Sequence, residues 1–309
     1  MLRIMRNLTK QALAIAVSAG VLAGCSSVTS SPASSTSQTT KTSASTTADT
    51  TTAAFAELAT KFHAQFGLYA IDTGSGRSVA YQADERFAFC SVIKAFAASV
   101  LLQRDTDRQL AQVITYSKSD LVDYSPVTSQ HVGTGMTLTA VMAAALEVSD
   151  NTALNLMLNQ IGGPSALQTA LRGLGGTTTN VDRTEPTVNS AVPGDPRDTS
   201  TARALATDLR TFALGDALST TRRAQLVSWL QANTTGGPYI RAAVPAGWKV
   251  GDKTGNGDYD TRNDIAVLWP PSGAPIVIAV LSNRGDDENA TSNDALIADA
   301  AKLALQAVA

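Results

Sequence analysis

The apolar pattern of this chain changes period twice, and that constrains its fold more than any other feature. Residues 67–72 (Gly-Leu-Tyr-Ala-Ile-Asp) read as a strand, Thr73-Gly74-Ser75-Gly76 as a turn and residues 77–82 as the returning strand. Ahead of them, residues 55–62 place Phe55, Leu58 and Phe62 on one helical stripe. The middle of the chain is then dominated by helical patterns. Residues 138–148 form one; 151–161 are stopped by Gly162-Gly163-Pro164, and 165–174 by Gly175-Gly176. Residues 201–214 and 220–232 complete the set. Strand patterns return at 248–253, 264–269 and 275–281, separated by Gly, Asn and Pro, before a last helix at 296–308. Strands at both ends with helices between predict an α+β fold. An antiparallel sheet is built from both termini and flanked by helices, and it carries an all-helical subdomain. The α/β part takes residues 54–88 and 233–309 and the helical part 89–232, with an active site expected in the cleft between them.

Residues 1–24 are not expected to belong to the fold. Arg3, Arg6 and Lys10 precede an apolar run, 12–24, that is short for a bilayer span. The run ends in Leu22-Ala23-Gly24-Cys25, which resembles a bacterial lipoprotein signal with Cys25 as the lipidated first residue. A plain secretory signal is the alternative, and the absence of an Arg-Arg pair points to export in the unfolded state. Residues 25–53 are almost wholly Ser and Thr after the cysteine. They bury too little apolar surface to offset the entropy of ordering, so a disordered tether is expected there, or a sugar-bearing stalk. The predicted location is the outer face of the cytoplasmic membrane, or the cell wall and medium after release. Residues 54–309 are expected to form the folded domain, the part of the chain that carries any active site.

At 309 residues and 44% hydrophobic the chain can bury a large core. A net charge of -2 leaves no basic footprint for nucleic acid. Two histidines, His63 and His131, and two cysteines, Cys25 and Cys90, are too few for a convincing zinc site, so no metal and no cofactor is expected.

Chemistry is suggested first by Ser91-Val92-Ile93-Lys94, followed by an apolar run to Leu102. Residues three apart share a helix face, so a helix opening at Ser91 turns its hydroxyl toward the Lys94 ammonium. A serine needs such an adjacent base to become a nucleophile, and a helix N-terminus favours a developing oxyanion. Ser91 as a simple N-cap explains the same residues. Three further stretches bear on the choice. Ser149-Asp150-Asn151 lies between two helical runs. Lys253-Thr254-Gly255 ends a predicted strand, with Gly255 allowing a ligand close to the backbone. Arg183-Thr184-Glu185-Pro186 opens an irregular loop, 182–198, of a length that usually serves function. Each has a bland reading as a cap, a strand end or a solvated pair.

Together and in this order, S-x-x-K, S-D-N and K-T-G resemble the set of the class A serine β-lactamases and penicillin-binding proteins. The resemblance is to the class A β-lactamases over residues 55–309, nearest to actinobacterial members, and it extends to Asn233-Thr234-Thr235-Gly236, Pro245-Ala246-Gly247-Trp248 and Asp252 through Tyr259. It implies the β-lactamase/transpeptidase-like fold, β-lactam substrates and a monomer. It implies Ser91 as nucleophile and Lys94 as its activator, alone or with Glu185 through a water. Ser149 is the proton donor to the leaving nitrogen and Lys253 its electrostatic support. Backbone N–H groups of Ser91 and Asn256 form the oxyanion hole. Asn151 binds the substrate side-chain amide, Thr254, Gly255 and Arg262 the carboxylate end, and Tyr124 stands at the cleft mouth. Glu185 and Asn189 hold the deacylating water, Arg183 pairs with Asp198 across the loop neck, and Glu185–Pro186 is a candidate cis peptide.

In some carbapenem-hydrolysing relatives the cysteine beside the nucleophile makes a disulfide. Gly257 stands at the partner position here, so Cys90 is expected as a lone buried thiol. Asn256 stands where a small residue is usual. The competing functions are a cell-wall D,D-peptidase, which Glu185 with Asn189 argues against, and a lipoprotein that binds β-lactams without turnover.

Overall fold

The computed structural model describes residues 40–291 and 293–308. The signal segment, Cys25 and the tether up to residue 39 lie outside the described residues. The chain opens with α1, Thr40–Lys61, then the hairpin β1, Gln65–Asp72, and β2, Ser78–Tyr81. A two-residue strand β3, Phe87–Ala88, leads into a 3-10 turn, Cys90–Val92, and α2, Ile93–Arg104. The helical part continues with α3, Asp107–Leu110, the small strands β4, Val113–Ile114, and β5, Met136–Thr137, and the helices α4, Leu138–Glu147, α5, Asn151–Ile161, and α6, Pro164–Gly173. A second small strand, β6, Thr199–Ser200, precedes α7, Ala202–Ala213, α8, Thr220–Gln231, and α9, Ile240–Ala243. The chain closes with β7, Lys249–Gly257, β8, Thr261–Trp269, β9, Ile276–Asn283, and α10, Ala295–Val308.

Local chemistry sets these boundaries. Thr137, Asp150, Thr201 and Ser219 cap α4, α5, α7 and α8, each accepting from a backbone N–H one turn in. Gly162, at φ 108, ends α5 in a conformation that only glycine adopts without strain, and Pro164 starts α6. Residues 40–52, expected as tether, are instead helical. Between Thr40 and Lys61 there is no Gly or Pro. Phe55, fully buried, docks the second half of α1, and each upstream turn then costs only propagation, not nucleation.

The sheet is antiparallel, in the order β2-β1-β9-β8-β7. It is assembled from both ends of the chain, as its two periods implied. Alternate residues of β8 and β9 serve two cores. Ile265, Val267, Val277, Ala279 and Leu281 face the helical subdomain. Ala266, Leu268, Ile276, Ile278 and Val280 face Phe55, Phe66, Leu296, Ile297 and Ala300 of the flanking helices and β1. At ~1.5–3 kcal/mol for each large side chain buried, this double cover fixes the register firmly. Two consequences reach the cleft. β7 is the edge strand, so its outer backbone groups have no strand partner on that side. And α2 is buried all round from Ile93 to Leu102, which carries Lys94 into the interior.

Candidate active site

Ser91 sits in the 3-10 turn rather than in the first turn of an α-helix, but the turn runs directly into α2. The three-residue spacing therefore still works: Lys94 Nζ is 2.7 Å from Ser91 Oγ. Cys90, just before, takes a left-handed φ of 51°, and Ser149 and Tyr124 do likewise at 59°. Such backbone costs of order 1–3 kcal/mol per residue and concentrates at functional sites. The turn abuts the edge strand where Gly255 admits it. A Cβ there would lie 2.6 Å from Phe89 O and 3.1 Å from Val92 N. Lys253-Thr254-Gly255 is thus in the interior of β7, not at its end, because the ladder with β8 runs on to Gly257↔Thr261.

Lys94 is fully buried. Besides Ser91 its Nζ reaches Ser149 O at 2.9 Å, Ser149 Oγ at 3.3 Å, Asn151 Oδ1 at 2.6 Å and Glu185 Oε1 at 3.0 Å. An ammonium has only three N–H bonds, so these oxygens compete for them. Burial pushes the Lys94 amine below its ordinary pKa and the Glu185 carboxylate opposes that shift. Glu185 Oε1 also lies 3.4 Å from Ser91 Oγ, and its Oε2 accepts from Asn189 Nδ2 at 2.5 Å. Lys253, equally buried, donates to Ser149 Oγ at 3.0 Å and to Thr254 O at 2.9 Å. Burial, reinforced by the nearby Lys94 cation, brings Lys253 down to about 7.

The loop 182–198 is closed at its neck. Arg183 Nε bonds Asp198 Oδ2, and Asp198 Oδ1 accepts the N–H groups of Asp182 and Arg183 at 2.9 and 3.0 Å. Glu185–Pro186 is cis. A cleft of ≈ 220 Å³ opens over these groups, lined by Ser91, Tyr124, Ser149, Asn151, Asn189, Thr235, Thr254 and Asn256. Tyr124 is 60% exposed at its mouth. Cys90 is buried and free, with burial holding its thiol well above the ordinary value.

One expected residue is differently engaged. Arg262 is absent from the cleft lining. Its guanidinium pairs with Asp260 at 3.0 Å and with Asp294 at 3.3 Å, one strand behind β7 and cross-strand from Asn256.

Four contributors were missed. Asn155 donates to Glu185 O at 3.0 Å and accepts its N–H at 2.8 Å, anchoring the carboxylate from α5. Its position four after Asn151, on one helix face, was the available signal. Asp150 accepts from Val127 N, Thr128 N and Ala153 N, so the middle residue of Ser149-Asp150-Asn151 holds the other two in place. Thr235 Oγ1 lies 2.6 Å from Thr254 Oγ1. Tyr239 donates to Asn256 Oδ1 at 2.9 Å. Thr235 lies in the Asn233–Gly236 stretch that carries part of the resemblance, whereas no local pattern marked Tyr239.

Known proteins resemble this arrangement closely. Residues 50–308 match the β-lactamase enzyme family. A β-lactamase of Amycolatopsis lactamdurans is 58% identical over 82% of this chain and 84% of its own. The structure of a class A β-lactamase from Clostridium kluyveri superposes with a TM-score of 0.82 at 44% identity, covering 84% of this chain and 98% of that one. The crystal structure of a halotolerant bacterial β-lactamase gives 0.80 at 49% identity, over 82% and 97%. With the serine, both lysines and the loop carboxylate gathered in one cleft, the chain belongs to the β-lactamase family, with the fold of its class A members.

Proposed function

We propose that the protein is a serine β-lactamase that opens the lactam amide of penicillins and cephalosporins through an acyl-enzyme on Ser91, and so confers resistance. The observation that carries this reading is Glu185: 3.4 Å from Ser91 Oγ, ion-paired to Lys94 and held by Asn189. Ser91 Oγ attacks the lactam carbonyl carbon, its proton passing to Lys94 once that amine has given up its own proton and is neutral, or, through a water, to Glu185. Charge on the carbonyl oxygen is met by the N–H groups of Ser91 and Asn256 at the edge of β7. As the C–N bond breaks, Ser149 gives its proton to the departing nitrogen, with Lys94 and Lys253 both in reach to replace it. A water between Glu185 and Asn189 then loses a proton to Glu185 and attacks the acyl ester, freeing Ser91. Asn151 takes the substrate side-chain amide and Tyr124 covers the mouth. Thr254 and Gly255 receive the carboxylate, backed by the charge of Arg262. Arg183 and Asp198 keep the loop closed.

The test is intact-protein mass spectrometry after mixing with penicillin. Glu185→Ala is expected to hold a persistent adduct on Ser91, with turnover reduced by at least ~10²–10⁴-fold. Wild type shows the adduct only fleetingly and Ser91→Ala shows none. A wild-type adduct lasting many minutes points instead to a peptidase or a trap.

We further propose that the protein is a monomer on the outer face of the cytoplasmic membrane, tethered by lipidated Cys25, or released from there into the cell wall and medium. The Leu22-Ala23-Gly24-Cys25 boundary supports it. Cys25→Ser is expected to shift the protein out of the membrane fraction or leave it unprocessed. A wild type that is already wholly soluble argues for a plain secretory signal.

A further inference from the structure

The carboxylate of Asp208 takes no part in the chemistry above and opens on a second cavity. This space of ≈ 210 Å³ lies between α7 and the turn that follows α6, and none of its lining residues borders the cleft. Asp208 is 7% exposed, and its Oδ2 has no hydrogen-bond partner. Burial alone raises its pKa to about 7, so no cation among the described residues stands near enough to lower it. A buried carboxylate in that state is costly unless a donor or a cation meets it.

The groups that α7 sets around it are acceptors or are already engaged. Ala204, Thr207, Asp208 and Thr211 form one stripe of that helix along the cavity. The Thr207 hydroxyl donates to Arg203 O at 2.7 Å and the Thr211 hydroxyl to Thr207 O at 2.9 Å. A hydroxyl has one proton, so each has only lone pairs left to offer the cavity. Arg203, on the same wall, donates to both oxygens of Asp84 at 2.8 and 2.9 Å. On the facing turn, Gly176 runs so close that a Cβ would stand 3.1 and 3.2 Å from the two Asp208 oxygens, yet its N–H is bonded to Leu171 O at 3.0 Å. A wall of acceptors around one negative charge selects for a positively charged donor. At about 30 Å³ for a water-sized group the cavity has room for several, more than a bare ion fills.

We propose that this cavity is a binding site for a small primary ammonium ion, whose three N–H groups are received by the Asp208 carboxylate and the Thr207 and Thr211 hydroxyls. The site is separate from the cleft and does not depend on the reaction proposed for Ser91.

The probe is ethanolammonium chloride, followed by calorimetric titration and by thermal unfolding at about pH 8, where Asp208 is mostly ionised. Ethylene glycol, which puts a hydroxyl in place of the ammonium, and KCl at equal ionic strength are the controls. A ligand this small should bind wild type with Kd on the order of 1–10 mM, inside the ceiling that its few non-hydrogen atoms set. At about 100 mM it should then raise the melting temperature by about 3–10 °C, and neither control should match it. Asp208→Asn keeps the shape and removes the charge, and should weaken binding more than about 10-fold. Thr211→Val keeps both shape and charge but removes one acceptor, and should weaken it about 3- to 10-fold. The proposal is overturned if wild type shows no binding, or if ethylene glycol or KCl protects equally. Binding that survives in Asp208→Asn, or is undiminished in Thr211→Val, puts the ammonium elsewhere and overturns it as well.

Discussion

The two walls of the cleft are built on opposite principles. One wall is β7, paired residue for residue with β8 from Lys249↔Trp269 to Gly257↔Thr261 and backed by two cores. The other is the loop 182–198, whose only regular piece is a 3-10 turn, Thr187–Asn189. A few bonds hold that loop: the side chains of Arg183 to Asp198 and of Asn155 to the Glu185 backbone, and the backbone N–H of Asp258 to the Asn189 carbonyl at 3.0 Å. The residues proposed for acylation sit on or against the strand and the buried helix α2, while the carboxylate proposed for deacylation sits on the loop. Damage to the strand wall should therefore cost folding. Damage to the loop should cost turnover while sparing the fold.

The largest effect is expected at Gly236, beside the strand wall. A Cβ there would stand 1.8 Å from Asp252 Oδ2, a fully buried carboxylate already held by Asn233 at 2.8 Å and Arg241 at 2.6 Å. Neither partner can yield without leaving a buried charge unpaired. Gly236→Ala should lose at least about 4 kcal/mol of stability or give no folded protein, measured by thermal unfolding. A near-native melting temperature would mean that this wall is softer than its ladder suggests.

On the loop wall, Asn155→Ala removes both bonds to the Glu185 backbone without touching its carboxylate. Deacylation should slow about 10- to 100-fold, the usual cost of losing an orienting partner, while acylation of Ser91 changes little. Stopped-flow separation of the two steps would show this. Equal slowing of both would erase the contrast between the walls.

The last effect lies away from both. Asp208 on α7 is 7% exposed, its Oδ2 has no hydrogen-bond partner, and burial alone raises its pKa from 3.8 to about 7. Between those two pH values the native state keeps a proton that the unfolded chain has released. Its contribution is thus fully present below about pH 4 and is lost as pH rises through 7. Asp208→Asn cannot ionise, and the cost of its own unpaired amide does not vary with pH, so relative to wild type it should gain about 2–3 kcal/mol between pH 5 and pH 8. A difference in melting temperature that stays flat with pH would show the carboxylate to be solvated. The lesson is the same as in the cleft. Glu185 is buried with Lys94 and Asn189 as partners, and Asp208 is buried with none on Oδ2.

What the sequence determined by itself is whatever depends on neighbours along the chain. Ser91 and Lys94 meet because three residues make about one helical turn, and they meet even though the turn is 3-10. Asp150 caps α5, and Gly162-Gly163-Pro164 divides α5 from α6. The twofold change of period was enough to assign a sheet to the ends and helices to the middle. Motifs far apart in the chain were grouped only by resemblance to a family, because nothing local says that Ser91, Ser149 and Lys253 converge.

Only the tertiary structure decided the rest. Packing added β7 residues past Lys253, because β8 continues the ladder through Thr254, Gly255, Asn256 and Gly257, a run with little strand pattern of its own. Docking through Phe55 kept residues 40–52 helical despite a composition that suggests a coil. The partners that set charge and orientation came from remote elements: Asp260 and Asp294 on Arg262, Asn155 under Glu185, Tyr239 on Asn256. A side chain's neighbours along the chain are fixed by bond geometry. Its hydrogen-bond and ionic partners are fixed by which faces the two cores bring together, and that information exists only once the chain has folded.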